Sequence, residues 1–318
     1  MSLVILCSGQ AGQHRAMLDG ILDAEDCAEL CEAASSVLGQ PVAAWWSNLD
    51  EAALFANAHA QFAIALYQAA SWQRLSARLP VAPAAVAGYS LGEVIAWHIS
   101  GALGARELLS LVRERASLMD DSSPPAEPGA HCMALWRGRS TPTMRQALAD
   151  AVVRHGVAVA IHRPGGQCVL GGPAAAMAAF EKDAAVADGG LKPLAVGVPS
   201  HTPWLAGAEN PFRARVRAMA FGDPRFPVIA GVDGAVQRQG AAAADSLAQQ
   251  LARPLHWDWC LETLAGLGVD VGIELGPGND LSLQVESELS GAAARALHEF
   301  ASADEAVAWV ARYASRAG

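Results

Sequence analysis

The chain alternates short apolar runs with longer stretches in which apolar residues recur every three or four positions, the pattern of strands alternating with amphipathic helices. The first run, "LVIL" at 3–6, predicts a buried strand, and "CSGQAGQ" after it a glycine-bearing loop. Helical spacing follows at 24–38 and 58–78, a short buried strand at 84–88 ("AAVAG"), and two further helices at 91–103 and 105–119.

The clearest break in composition is "DDSSPPAEPGA" at 120–130, and the pattern changes beyond it. "HCMALWRG" reads as a strand and "TPTMRQALADAVVRHG" as a helix. "VAVAIHR" and "QCVLGG" read as two strands around the turn "PGG", "PAAAMAAFEKDAAVADGG" as a helix, and "LKPLAVGV" as a strand. That βαββαβ order is the ferredoxin-like arrangement. It predicts a small domain at 128–197, inserted into a larger α/β unit formed by 1–127 and 198–318. In the larger unit a parallel-sheet pattern resumes, with helices expected at 205–219, 243–252 and 258–267 and a strand at 226–232. "VGIELGPGNDLSLQV" reads as strand, glycine turn and helix, and 303–315 as a closing amphipathic helix.

At 318 residues and 52% apolar, the chain is long enough to bury a sizeable core, yet no run approaches the length of a membrane helix. A net charge of −10 argues against broad nucleic-acid binding. "MSLVILCSGQ" lacks the basic segment of a signal peptide, and the six scattered cysteines form no CxxC pair. These features predict a cytoplasmic protein with reduced thiols. No HExxH, P-loop or GxGxxG is present, so neither a metal nor a bound cofactor is expected.

The chemistry centres on "GYSLGE" at 88–93, which sets Ser90 between Gly88 and Gly92 where a strand meets a helix. The motif alone fits an ordinary tight turn as well as a nucleophile on a strained strand-to-helix elbow. At the helix start, backbone N–H groups could stabilise developing negative charge. A serine nucleophile needs a base. His14, His59, His98, His155 and His298 read as loop or helix-face residues, and His131, His162 and His256 as strand or helix edges. His201, in "VGVPSHTPWL", lies in a loop just past a buried strand, where catalytic residues gather.

Taken together, "SGQAGQ", "GYSLGE", "VRERASLM", "VPSHTPWL", "QQLARPLHW" and "ELGPGNDL" resemble the motifs of the malonyl-CoA:acyl carrier protein transacylases, in the same order and over almost the whole chain. The resemblance implies an α/β-hydrolase-like large domain with a parallel sheet core and a ferredoxin-like insertion. It implies Ser90 as the acylated nucleophile and His201 as its base, oriented by the backbone carbonyl of Gln250 rather than by an aspartate. The oxyanion donors would be the backbone N–H groups of Gln10 and Leu91. Arg115, which by itself reads as a solvated helix-face residue, would bind the free carboxylate of malonate. A guanidinium suits that task because it stays charged when buried and meets a carboxylate through two parallel hydrogen bonds. Gln61 would line the same pocket. The substrate would be malonyl-CoA, with no bound cofactor, and the acceptor a thiol on the phosphopantetheine-type arm of an acyl carrier protein.

Three positions depart from the family pattern. Tyr89 replaces a histidine in the pocket wall, and His162 an asparagine. Ala11 replaces a glycine, and where φ must be positive this costs about 1 kcal/mol or more. The segment "LCSGQAGQHRAML", Tyr89 and the free-standing length are most similar to the epsilon subunit of malonate decarboxylase, whose partner is the decarboxylase's own carrier subunit. Fatty-acid and polyketide transacylases are the alternatives. A serine hydrolase or thioesterase would share the serine motif, but it would have no use for Arg115. A docking protein without activity would have lost Ser90 or His201. An acidic carrier would need a basic cluster near the cleft, for which Arg113, Arg163 and Lys192 are candidates.

Overall fold

Residues Leu3–Cys7 form strand β1, buried at all five positions, in the computed structural model, which describes residues 1–122 and 131–314. Its side chains alternate between two cores. Leu3, Ile5 and Cys7 pack with Phe62, Val94 and Leu108 on one side, while Val4 and Leu6 pack with Ile229, Trp257 and Val285 on the other. A strand covered on both faces has no polar side to show, which is why this one reads as a continuous apolar run.

The remaining strands are β2 (Ala85–Gly88), β3 (His131–Trp136), β4 (Ala158–His162), β5 (Cys168–Pro173), β6 (Leu191–Leu194), β7 (Val228–Ile229), β8 (Val236–Gln237), β9 (Leu255–His256), β10 (Val271–Glu274) and β11 (Ala293–Ala296). The large sheet runs β11-β10-β1-β2-β7-β8. It is parallel except for β8, which pairs antiparallel with β7. The carboxyl ends of β1, β2 and β10 therefore point the same way, and open α/β sheets bind their ligands at that end.

The small sheet runs β6-β3-β5-β4-β9. Neighbours among its first four strands are antiparallel, and the four have the ferredoxin-like order. Alternation again divides the side chains: Ala134 and Trp136 of β3 join a small core with Leu170 and Phe180, whereas Met133 and Leu135 face the core shared with the large sheet. One feature differs from a closed insertion. β9, from the 198–318 segment, pairs parallel with β4 through Ile161–Leu255 and His162–His256, and so covers an edge that would otherwise present unpaired backbone groups.

Several expected elements are shorter or divided. The helix expected at 24–38 is a 3-10 turn, Glu25–Cys27, followed by Ala28–Leu38, and the strand expected at 226–232 contracts to β7. The helix expected from Pro173 through Gly190 stops at Glu181, because Asp183 turns the chain by accepting the Ala185 N–H. The helix expected at 91–103 ends at Ile99, and that at 105–119 extends to Ser122. Most of the 120–130 break, including the boundary at 127/128, and the end of the last expected helix lie outside the described residues. Among the described residues no helix is long and apolar enough to cross a membrane.

Candidate active site

The turn after β2 requires both of its glycines. A Cβ on Gly88 would lie 2.1 Å from the carbonyl carbon of Gly92, and one on Gly92 would lie 1.9 Å from the Cys7 carbonyl oxygen. Strand β1, strand β2 and the helix Leu91–Ile99 therefore meet backbone to backbone. Between the glycines Ser90 is held at φ 60°, ψ −112°, a conformation that costs about 1–3 kcal/mol for a non-glycine residue and persists only where its surroundings enforce it. The strain lifts the hydroxyl clear of the sheet at the start of the helix.

His201 occupies a second positive-φ position, at 63°. Its N–H donates to the Leu251 carbonyl at 2.9 Å, which ties the loop to the end of the helix Ala243–Ala252. The imidazole Nδ1–H donates to the Gln250 carbonyl. A carbonyl can only accept, so the Nε2 lone pair is left facing Ser90 Oγ, 2.7 Å away. Burial first, and the positive charge of Arg115 second, push the imidazole pKa down to about 3, so the ring is neutral near pH 7.

Arg115 is fully buried on the helix Ala105–Ser122. Its guanidinium donates to Gln61 Oε1 at 2.7 Å and to Gln250 Oε1 at 3.2 Å, and one nitrogen lies 3.5 Å from Ser90 Oγ. All these partners are neutral, and Nε has no partner at all. Gln61, also fully buried, is held in turn by Asn57, whose side chain reaches the Ala116 carbonyl and Asp120. On its other side Gln250 donates to Glu93 at 3.1 Å. Sequence reasoning passed over Glu93, although a charged residue inside the otherwise apolar "LGEVIAWHI" was its signal.

A cavity of about 320 Å³ opens above Ser90 between the two sheets, lined by the 8–12 loop, Tyr89, His201 and Glu274. The same space is faced by Met133, Leu135, Val169 and Leu194 of the small sheet. Gln10 lies on the loop beside Ser90; a Cβ on the preceding Gly9 would come 2.8 Å from the Tyr89 carbonyl, so loop and elbow are in contact. Leu91 is the first residue of its helix and has a backbone N–H free of intrahelical bonding. Glu274, a second residue the sequence did not single out, accepts from Ser8 Oγ and from the Ser282 N–H, both at 2.7 Å.

The three departures are also placed. Ala11 sits at φ 94°, the strained side of the backbone map, and its N–H donates to Gln13 Oε1. The Tyr89 ring packs edge-on against Trp257 at 5.4 Å with Arg163 over its face, and its buried hydroxyl makes no hydrogen bond. His162 stacks on His256 at 4.5 Å, away from Ser90. Of the basic residues considered near the cleft, Arg163 and Lys192 line it together with Arg137, and Arg163 is paired with Asp280 at 2.9 Å. Arg113 does not join them: it projects from the opposite face of its helix to the Val37 carbonyl. Among the described residues no group of three His, Cys, Asp or Glu side chains could hold a metal ion.

A strained serine at a strand-to-helix elbow, a neutral histidine on its hydroxyl and a lined cleft are the parts that nucleophilic acyl transfer by a serine requires. The model of the acyl transferase domain family matches residues 4–301. The malonyl CoA-acyl carrier protein transacylase of Escherichia coli is 30% identical over 239 residues, 74% of each chain. That of Mycobacterium bovis is 28% identical over 305 residues, covering 95% of this chain and 98% of its own. Among solved structures, a malonyl-transacylase in complex with its type II PKS acyl-carrier protein superposes with a TM-score of 0.87 at 27% identity, covering 97% of this chain and 99% of that one. The Mycobacterium tuberculosis enzyme gives 0.87 at 27% identity, covering 96% and 100%. The chain belongs to the acyl transferase domain family, within its malonyl CoA-acyl carrier protein transacylase branch.

Proposed function

We propose that the protein transfers a malonyl group from malonyl-CoA to the prosthetic-group thiol of an acyl carrier protein, through a malonyl ester on Ser90. Arg115 carries this reading. It is a buried cation whose direct partners are neutral, and it stands 3.5 Å from the nucleophile. A buried guanidinium is stabilised by a carboxylate, and malonyl is an acyl group that brings one.

In the first half-reaction Ser90 Oγ attacks the thioester carbonyl while its proton passes to His201 Nε2. The negative charge on the carbonyl oxygen is met by the backbone N–H groups of Gln10 and Leu91, each of which is worth about 3–4 kcal/mol to such a transition state. Collapse breaks the C–S bond, and the CoA sulfur leaves with the proton from His201. The carrier thiol then gives its proton to His201 and attacks the ester, and Ser90 recovers a proton as the C–O bond breaks. Gln250 serves both halves by keeping the imidazole in one tautomer. The scheme uses no bound cofactor. We place it in the cytoplasm, where the six free thiols stay reduced.

The names of the relatives above favour an acyl carrier protein of the fatty-acid or polyketide type as acceptor. The loop "LCSGQAGQHRAML" and Tyr89 favour the second reading, the epsilon subunit of malonate decarboxylase with that enzyme's carrier subunit as acceptor. Labelled malonyl-CoA mixed with each carrier separates the readings. Label is expected on the acyl carrier protein with release of CoA; label confined to the decarboxylase carrier selects the second reading. Release of free malonate with neither carrier labelled makes the protein a hydrolase.

A further inference from the structure

The helix that begins at Leu91 buries one carboxylate, Glu93, which is 0% exposed and lies one turn from Ser90. It touches neither the cleft nor the nucleophile. Three donors converge on it: Ser246 Oγ, the Gly231 N–H at 2.9 Å and Gln250 Nε2 at 3.1 Å. Gln250 is thereby gripped at three points. Its main-chain carbonyl accepts from His201, its side-chain oxygen accepts from Arg115, and its side-chain nitrogen donates to Glu93.

A glutamine amide can be turned over at almost no intrinsic cost, so its neighbours decide which end faces which way. Arg115 has only donors to offer, and an ionised Glu93 has only acceptors. One orientation satisfies both, and the reverse would set N–H against N–H and oxygen against oxygen. We propose that Glu93 is a positioning residue for acyl-group selection: by fixing the Gln250 amide it holds the Arg115 guanidinium aimed at the space beside Ser90. This inference rests on the malonyl-transfer reading. Burial raises the Glu93 carboxyl to about 7, opposed first by the hydrogen bonds from Ser246 and Gly231 and least by the charge of Arg115.

Glu93→Gln makes a sharp control. Its amide oxygen can take over the bonds from Gly231 and Gln250, and its nitrogen can donate to Ser246 Oγ, so the Gln250 orientation survives. Glu93→Ala releases Gln250, and Gln250→Leu cuts the same link from the other side while keeping the main-chain carbonyl for His201. The readout is single-turnover acylation of Ser90 by malonyl-CoA and by acetyl-CoA, followed by intact mass. Misaimed groups cost about tenfold to a hundredfold, so the malonyl-to-acetyl rate ratio of Glu93→Ala is expected to fall by about that factor. Glu93→Gln should restore most of the ratio, and the double variant Glu93→Ala with Gln250→Leu should be no worse than either single change.

An equal loss for both acyl groups would make Glu93 merely structural and overturn the inference. So would an unchanged ratio. If Glu93→Ala does not fold, Gln250→Leu decides, and a wild-type ratio there refutes the proposal. If the wild-type protein accepts no malonyl group, the functional reading itself has failed, an outcome distinct from failure of the role given to Glu93.

Discussion

Behind Ser90 lies a buried floor in which Arg115, Gln61, Gln250 and Glu93 are bonded to one another, whereas the cleft wall supplied by the small sheet presents Met133, Leu135, Val169 and Leu194. The wall lines the cavity, while the floor reaches it through Arg115, 3.5 Å from Ser90 Oγ, and the two can do different things there. An apolar wall holds any thioester of suitable shape with similar strength, because the hydrophobic effect is non-directional. A buried guanidinium discriminates, because a partner without a carboxylate leaves it poorly compensated. Under the proposed function, selectivity belongs to the floor and general holding to the wall.

Ser90→Ala removes what both surfaces serve and should have the largest effect, a loss of about 10⁴-fold or more in transfer with no covalent adduct by mass. Arg115→Ala should break the comparison at the floor. Malonyl transfer is expected to fall about a hundredfold, as for truncation of one side of a buried charge pair, while acetyl transfer holds or rises. Competition between the two CoA esters in one reaction measures this directly. Met133→Ala should sharpen the contrast from the wall side, raising KM for malonyl-CoA and acetyl-CoA alike by about 3–10-fold. A selective change there would mean that the wall also reads the acyl head.

The smallest expected effect concerns Glu274, where the 8–12 loop meets the cleft. Burial first raises its carboxyl from 4.5 to about 7, so between those values the folded protein holds a proton that the unfolded chain has lost. Stability contributed by that proton is present at low pH and is lost as pH rises to about 7. Glu274→Gln lacks this loss. Its melting temperature relative to wild type should therefore climb by about 2–4 °C between pH 5 and pH 8 in thermal scans. The His201 contribution has the opposite sign but is the same in both proteins and cancels.

How much of this was legible in the sequence differed between the same two regions. β1 and β2 announce themselves because both of their faces are buried, and the βαββαβ order of the small domain survives because each strand still alternates. The helices Val42–Asn48 and Glu51–Phe55 were invisible, being too short for a helical period to show. β11, with the sequence AARA, has no strand propensity of its own and exists because β10 offers it a parallel partner. β9 is two residues long, and its place at the edge of the small sheet is purely tertiary.

At the site, Ser90 and His201 could be singled out because an elbow glycine pair and a proline-flanked loop are local patterns. The meeting of Glu93, Gln250 and Arg115 joins residues up to 157 positions apart. No local pattern could reveal it.

The central claim is that Ser90 is loaded with an acyl group selected by Arg115. It is tested most directly by intact mass of wild type, Ser90→Ala and Arg115→Ala after brief mixing with malonyl-CoA or acetyl-CoA. The account predicts a malonyl adduct that accumulates on wild type, is absent from Ser90→Ala and is strongly reduced on Arg115→Ala, with little acetyl adduct on wild type. Equal malonyl and acetyl loading of wild type, unaltered by Arg115→Ala, would contradict it.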